Sequence, residues 1–244
     1  MKNRFHHTKS AAAFAGLALL ACTAQGAVIL QPQSITATSQ AGGQYAGNFA
    51  ADQSGFLGGG SYTSGVTNFD EALTLEHRQG NGGTEGGTNI GWASVFNPTL
   101  NIDPQAANNP GVLIIDMGSV VTVSRIGVWT YLLGTPVNGG AAFDSTKDFE
   151  VFSSDSGNLA TAALTSLGVF TLPDEHPSRT GLAFDITDAT SQFFVINVRS
   201  LHTDTSPVGN NHASFGEIAF EAIPEPSAAL LGGLGLLALL RRRR

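Results

Sequence analysis

From Val112 onward the chain is written in short apolar runs separated by turn-forming residues: "VLIID" (112–116), "VTVSRIGVWTYLL" (121–133), "DFEVFSS" (148–154), "SLGVFTL" (166–172), "LAFDIT" (182–187), "FFVINVRS" (193–200) and "SFGEIAFEA" (214–222). Val, Ile and Phe dominate these runs, and Gly, Pro, Asn and Asp stand between them, as short strands joined by turns require. No long helical period competes. The pattern predicts an all-β fold, a β-sandwich. In the last run Phe215, Ile218 and Phe220 break strict alternation at Gly216-Glu217, which predicts a bulge or a close approach by another backbone. The first half is less regular. Residues 53–91 are crowded with Gly, Ser, Thr and Asn and predict a long surface loop or a pair of weak hairpins, with a Gly-rich insertion at about 57–91. No repeat of fixed period is present.

The two ends depart from this pattern. Lys2, Arg4 and Lys9 precede an apolar stretch from Ala11 to Ala21, and Ala24-Gln25-Gly26 offers small residues before Ala27, the layout of a secretory signal peptide over residues 1–26. The competing reading is a lipoprotein signal, in which Leu19-Leu20-Ala21-Cys22 would leave Cys22 acylated. With cleavage after Gly26 the only cysteine is discarded, and the mature domain folds without disulfides. At the other end, Pro224-Glu225-Pro226 bars a preceding element from continuing as a regular helix. Beyond it, Ser227 to Leu240 gives fourteen residues of Gly, Leu and Ala closed by Arg241, Arg242, Arg243 and Arg244. As a helix that run spans about 21 Å, short against a hydrocarbon core of about 30 Å, but arginines snorkel and a bilayer thins. The segment 223–244 therefore predicts a short transmembrane helix with its arginines cytoplasmic. Pro224, Glu225, Pro226, the apolar span and the terminal arginines resemble the PEP-CTERM sorting signal of Gram-negative, exopolysaccharide-producing bacteria. The resemblance implies recognition by an exosortase and delivery through the secretion machinery to the cell surface, outer envelope or extracellular matrix, with at least a transient inner-membrane anchor.

Taking the two signals away changes the charge. Seven of the twelve basic residues lie in them, so residues 27–223 keep Arg78, Arg125, Lys147, Arg179 and Arg199 against eighteen carboxylates, a formal charge of −13. Such a body is a poor partner for nucleic acid, whose binding relies on neutralising phosphates, and it invites divalent cations. About 197 residues remain, one domain of ample size for a core.

Within that domain the order "ITATSQ" (35–40), "NFAADQSGF" (48–56), "GWAS" (91–94), "VLIIDMGSVVTVSRIGVWTY" (112–131), "KDFEVFSSDSG" (147–157), "FFVINVRS" and "ASFGEIAFE" (213–221) is similar to the discoidin, or coagulation-factor type C, domain. That family is a galactose-binding-like β-sandwich jelly roll, found mostly as a carbohydrate- or surface-binding module. The resemblance spans residues 27–222 and implies a non-catalytic module binding extracellular polysaccharide. It also implies a structural calcium, with Asp52 falling on the early-loop aspartate and Glu217 on the glutamate that opens the last strand. Calcium takes six to eight hard oxygens from carboxylates and loop carbonyls. The pair lies 165 positions apart, so only the fold can unite it; otherwise Asp52 caps a turn and Glu217 faces solvent. The insertion after Phe56 departs from the compact family pattern.

Other chemistry is sparse. Trp129, inside an apolar strand, and Trp92 read as core rather than as sugar-stacking platforms, and the loop aromatics Tyr45, Phe56 and Tyr62 are the better candidates for ligand contact. "GNGGTEGGTNIG" (80–91) lacks the GK[ST] of a phosphate loop and reads as a plain loop. His202, Asp204 and His212 in one turn-rich segment have no metal-enzyme motif around them and read as solvated, and Asp174, Glu175 and His176 read as part of a proline-bounded turn. No GxSxG elbow occurs. The expected function is non-catalytic binding of polysaccharide; the alternatives are a structural or adhesive matrix protein and a polysaccharide hydrolase.

Overall fold

The computed structural model describes residues 27–41, 46–50, 52–53, 55–58, 61–62, 65–77, 91–95, 98–130, 146–173, 180–202 and 212–223, with 49, 57, 58, 61 and 62 described in backbone only. The expected signal peptide, the sorting segment with Pro224, Glu225, Pro226 and Arg241 to Arg244, and Tyr45 all lie outside the described residues. No helix among the described residues is long and apolar enough to cross a membrane.

The chain is mostly β. In order, the strands are β1 (Val28–Leu30), β2 (Ser34–Ala37), β3 (Phe56–Gly58), β4 (Ser61–Tyr62), β5 (Glu76–His77), β6 (Trp92–Ala93), β7 (Val112–Trp129), β8 (Thr146–Ser154), β9 (Leu164–Thr171), β10 (Leu182–Leu201), β11 (Ser214–Phe215) and β12 (Glu217–Ala222). A 3-10 turn covers Gly47–Ala50, and one short helix, α1, covers Phe69–Leu73. The main sheet runs β1-β12-β7-β10-β8-β9, every pair antiparallel, with β2 added to β7. Val28–Ile223 forms one compact unit.

Two expected breaks are bends instead. "DMGSV" was expected to separate two strands, but β7 runs through it: Gly118 takes φ 76°, and its N–H donates to Asp116 Oδ1 at 2.7 Å. "TDATSQ" likewise lies inside β10, where register shifts between Asp185 and Ala189 and between Ser191 and Phe193 absorb the extra residues. Bulges bend a strand without ending it, so turn-like residues there mark a corner. The corner folds one sheet into two layers. The first half of β7 pairs with β2 and the second half of β10; its second half pairs with β12 and the first half of β10.

Between the layers lies the core. Leu113, Ile115, Ile126, Val128, Phe194, Ile196 and Phe220 are fully buried, and Phe194 on β10 meets Phe220 on β12 with ring centroids 5.1 Å apart. At one end Phe149 touches Phe170, Phe184 and Phe215 at 5.5 to 5.7 Å, and Phe215 stacks on Trp92. Each large apolar side chain so buried contributes about 1.5–3 kcal/mol. Trp92 and Trp129 are both fully buried, as expected of core residues, and each indole N–H reaches a backbone carbonyl, Ser39 O and Leu75 O respectively.

Both outer faces are partly covered. On the first layer Val112, Phe152 and Val195 form a small cluster beneath Leu159, next to the loop 98–111. On the second, the segment 53–77 lies over Trp129 and Gly127. Its helix α1 was not expected, although "NFDEAL" carries the signals: Asn68 caps it by accepting Glu71 N–H, acids fill the first turn, and Phe69 and Ala72 are buried. A Cβ on Gly127 would meet Phe69 and Leu73 at 3.2 Å, so the helix lies directly on that strand. Arg125 ties it down, bonding Asp70 at 2.8 Å and Glu221 while its guanidinium sits 4.8 Å over the Phe69 ring.

Candidate functional site

Two places combine polar groups with unusual burial or concavity. The first lies on the second layer, under segment 53–77. Glu217 stands opposite Trp129 in the β12–β7 register and is only 1% exposed, which overturns the alternative that it faces solvent. Gln53, 164 positions away, donates its backbone N–H to Glu217 Oε1 at 2.9 Å, while Oε2 has no hydrogen-bond partner among the described residues. Gln53 holds a left-handed backbone at φ 59°, sparse territory for a residue with a side chain. Its amide fixes that conformation by donating to Val66 O and accepting Val66 N–H, at 2.9 and 2.8 Å. Complete burial pushes the Glu217 carboxyl well above the ordinary carboxylate range, against the Gln53 N–H; the negative charge of neighbouring Asp52 pushes it further up. Asp52 itself is exposed and lines a hollow of about 290 Å³ with Gln31, Gln33, Ser34 and Asn48.

His77 completes this corner. It is fully buried at the end of β5, edge-on to Phe56, and clamped between two glycines: a Cβ on Gly55 would fall 1.9 Å from its Nε2, and one on Gly216 would fall 2.6 Å from its Nδ1. The close approach at Gly216 is thus made by an imidazole ring and not by another backbone as expected. Phe56, expected as a loop aromatic in contact with ligand, is fully buried on β3 with its ring centroid 4.8 Å from that of Trp129. Gly55, one of the glycines that make the stretch look like a loop, is what lets the chain press against the His77 ring. Tyr62 lies on β4, paired with Leu57.

The second place is a cleft of about 580 Å³ on the first layer, within the size range of small-ligand sites. Thr38 and Ser39 line it from the end of β2, Gln105 and Asn108 from the loop before β7, and Val95 and Leu159 supply apolar surface. Two buried amides hold that loop. Asn109 donates to Asn101 O and Asp103 O and accepts from Gly111 N–H, and it donates to Asn197 Oδ1 on β10 at 3.0 Å. Asn197 in turn donates to Asn101 O and Ile102 O, both at 3.0 Å. Gln105 reaches across the cleft to Leu159 O and Ala162 O, and Asn108 adopts φ 62° at the tip. Sequence reasoning did not find this cleft. Its one signal is "NNPG" (108–111), a turn whose first Asn tolerates the left-handed region.

The histidines expected to be solvated are not both so. His212 is buried, its Nδ1 2.6 Å from Ser94 O, and desolvation lowers its pKa against that hydrogen bond. His202 is half-buried and bonds Leu172 O. Asp204, Asp174, Glu175 and His176 lie outside the described residues, as do residues 80–90 of the glycine-rich stretch. Among the described residues no three His, Cys, Asp or Glu side chains gather as a metal site.

No protein-family model matches the chain, and no curated protein does. Solved structures are similar to it. A family 32 carbohydrate-binding module from C. perfringens, in complex with galactose, shares 13% identity over 80% of this chain and 98% of its own, with a TM-score of 0.41. A family 32 module of AlyQ in complex with 4,5-unsaturated mannuronic acid shares 15% over 79% and 96%, at 0.42. A chitosan-binding module of a chitosanase/glucanase from Paenibacillus sp. IK-5 shares 14% over 78% and 96%, at 0.43.

Proposed function

We propose that this chain is an exported, non-catalytic binding protein of the cell surface or extracellular matrix that recognises polysaccharide. The observation that carries the proposal is the character of the cleft: on a body with eighteen carboxylates and five bases, its lining among the described residues contains no charged side chain. Amides and hydroxyls each offer both a donor and an acceptor, as a sugar hydroxyl does, and the apolar patches of Val95 and Leu159 suit the C–H face of a sugar ring. Tyr45 and Tyr62 belong to the proposal as further contacts. So do a discoidin-like jelly roll as the fold type, the exosortase-read signal as the route of export, and the C-terminal segment as membrane anchor.

A structural calcium fits the residues at the other site. Glu217 has an oxygen with no partner among the described residues, Asp52 brings a second carboxylate beside it, and backbone carbonyls would supply the remaining hard ligands. The ion would neutralise Glu217 and the neighbouring Asp52, whose charge raises the Glu217 carboxyl, and so fix segment 53–77 on the second layer. The test is a glycan-binding screen of the exported full chain in calcium. Saturable binding to one glycan class, lost on Asn108→Ala with Gln105→Ala, is the expected result; a folded protein that binds no glycan refutes the proposal.

A further inference from the structure

The cleft allows its ligand to be narrowed by charge. We infer that it takes an uncharged stretch of polysaccharide and discriminates against uronate-bearing polymers, an inference that rests on the glycan-binding reading above. Thr38, Ser39, Val95, residues 104–110, Leu159 and Ala160 line the cleft, and none of these is a Lys, Arg or His. The charged residues that stand nearest to them in sequence are Asp103 and Asp155, both acids and both exposed. Asp103 Oδ1 accepts Gln105 N–H at 2.9 Å, which sets that carboxylate beside a residue of the lining, and Asp155 Oδ1 accepts Ala163 N–H at 2.8 Å across the loop that carries Leu159 and Ala160.

Among the described residues no base from elsewhere lines the cleft: Arg125, Lys147 and Arg199 all lie outside its lining. Arg125 is held by Asp70 and Glu221 on the opposite layer, and Arg199 pairs with Glu150 at 3.3 Å. An anion entering the cleft would surrender hydration without gaining a charged partner among the described residues, and would meet the like charge of Asp103 beside the lining. A neutral sugar faces neither cost. Polysaccharide carboxylates and sulfates are normally met by arginine or lysine, and the described lining has none.

The experiment compares the exported full chain on a panel of neutral glucan, galactan and N-acetylhexosamine polymers with polygalacturonate and alginate. Each is run at roughly 10 mM and 1 M salt, where the Debye length is about 30 and 3 Å. Expected are binding to a neutral polymer that changes less than about twofold with salt, and binding to the polyuronates at least about tenfold weaker at low salt. The double variant Asp103→Asn, Asp155→Asn keeps both Oδ1 acceptors, and it should leave neutral binding intact while strengthening polyuronate binding at low salt. Ala107→Lys, which puts a cation on the exposed cleft lining, should create polyuronate binding that salt abolishes. Polyuronate bound as tightly as the neutral polymers, or unmoved by these variants, overturns the inference and leaves the glycan-binding reading standing. Binding to no polymer overturns that reading, and the inference with it.

Discussion

Asn197→Ala tests whether buried amides hold the cleft. Asn197 is fully buried, and its backbone stays in the sheet between Val112 and Glu150, so truncation removes only the side-chain bonds. Those are three, all at 3.0 Å: to Asn101 O, to Ile102 O, and from Asn109 Nδ2. At about 1 kcal/mol net for each neutral hydrogen bond, the loss approaches about 3 kcal/mol. Partial relief comes from redundancy. Asn101 O still receives Asn109 Nδ2 at 3.0 Å, and Asn109 Nδ2 still reaches Asp103 O, so Ile102 O alone loses its side-chain donor outright. The expected cost is about 2–3 kcal/mol, seen as a fall in Tm of about 4–12 °C for a domain of this size. Denaturant unfolding gives the free energy, and hydrogen exchange gives its location. Gly111, whose N–H rests on Asn109 Oδ1, should exchange faster, while amides in β8 should keep their protection relative to the lowered global stability. A loss below about 1 kcal/mol, or an unchanged Gly111, would mean that the loop is held by something other than these amides.

Two further predictions concern the opposite layer. In chelator, the raised carboxyl of Glu217 makes the folded state prefer the protonated acid; its contribution to stability is complete below the ordinary value of 4.5 and is lost as pH rises toward the folded-state value. Glu217→Gln should flatten that decline, be more stable than the parent in chelator at neutral pH, and lose any calcium-induced rise in Tm. Matching pH profiles for parent and variant would refute the burial argument. Gly216→Ala drives a methyl to 2.6 Å from a ring atom of His77 and should cost about 1–3 kcal/mol as overpacking. Combining it with His77→Ala should cost less than the sum of the two single changes, and strict additivity in a double-mutant cycle would show that the ring and the glycine do not meet.

Much of the scaffold was legible in the sequence, because half-buried strands advertise themselves by alternation and by β-branched residues. The runs beginning at Val112, Asp148 and Phe193 all lie in strands, and both tryptophans are core. What was not legible depends on partners distant in sequence. Asn109 and Asn197 look like ordinary polar residues until the fold brings them together across 88 positions. Phe56 sits among glycines, the usual mark of an exposed loop, yet Trp129 lies 73 residues further on to receive it. Glu217 and the Asp52–Gln53 bend were paired through a family motif; nothing in their local sequence says that one of them is buried.

The two outer faces are secured by different chemistry. On the first layer the cover is held by neutral amides, Asn109, Asn197 and Gln105, whose hydrogen bonds do not change between acid and neutral pH and are indifferent to calcium. On the second layer the cover is held at a carboxylate that burial drives toward its protonated form, where the calcium proposed above would bind, and beside it by a clamped imidazole. The core lies between them, with Phe194 against Phe220, and interiors packed this densely hold their shape when one surface loosens. Chelation or mild acid should therefore alter the stability of segment 53–77 while leaving the cleft's affinity nearly constant. A calcium-dependent affinity at the cleft would require the layers to be coupled through β7, the one strand that carries Val112 beside the cleft and Trp129 opposite Glu217.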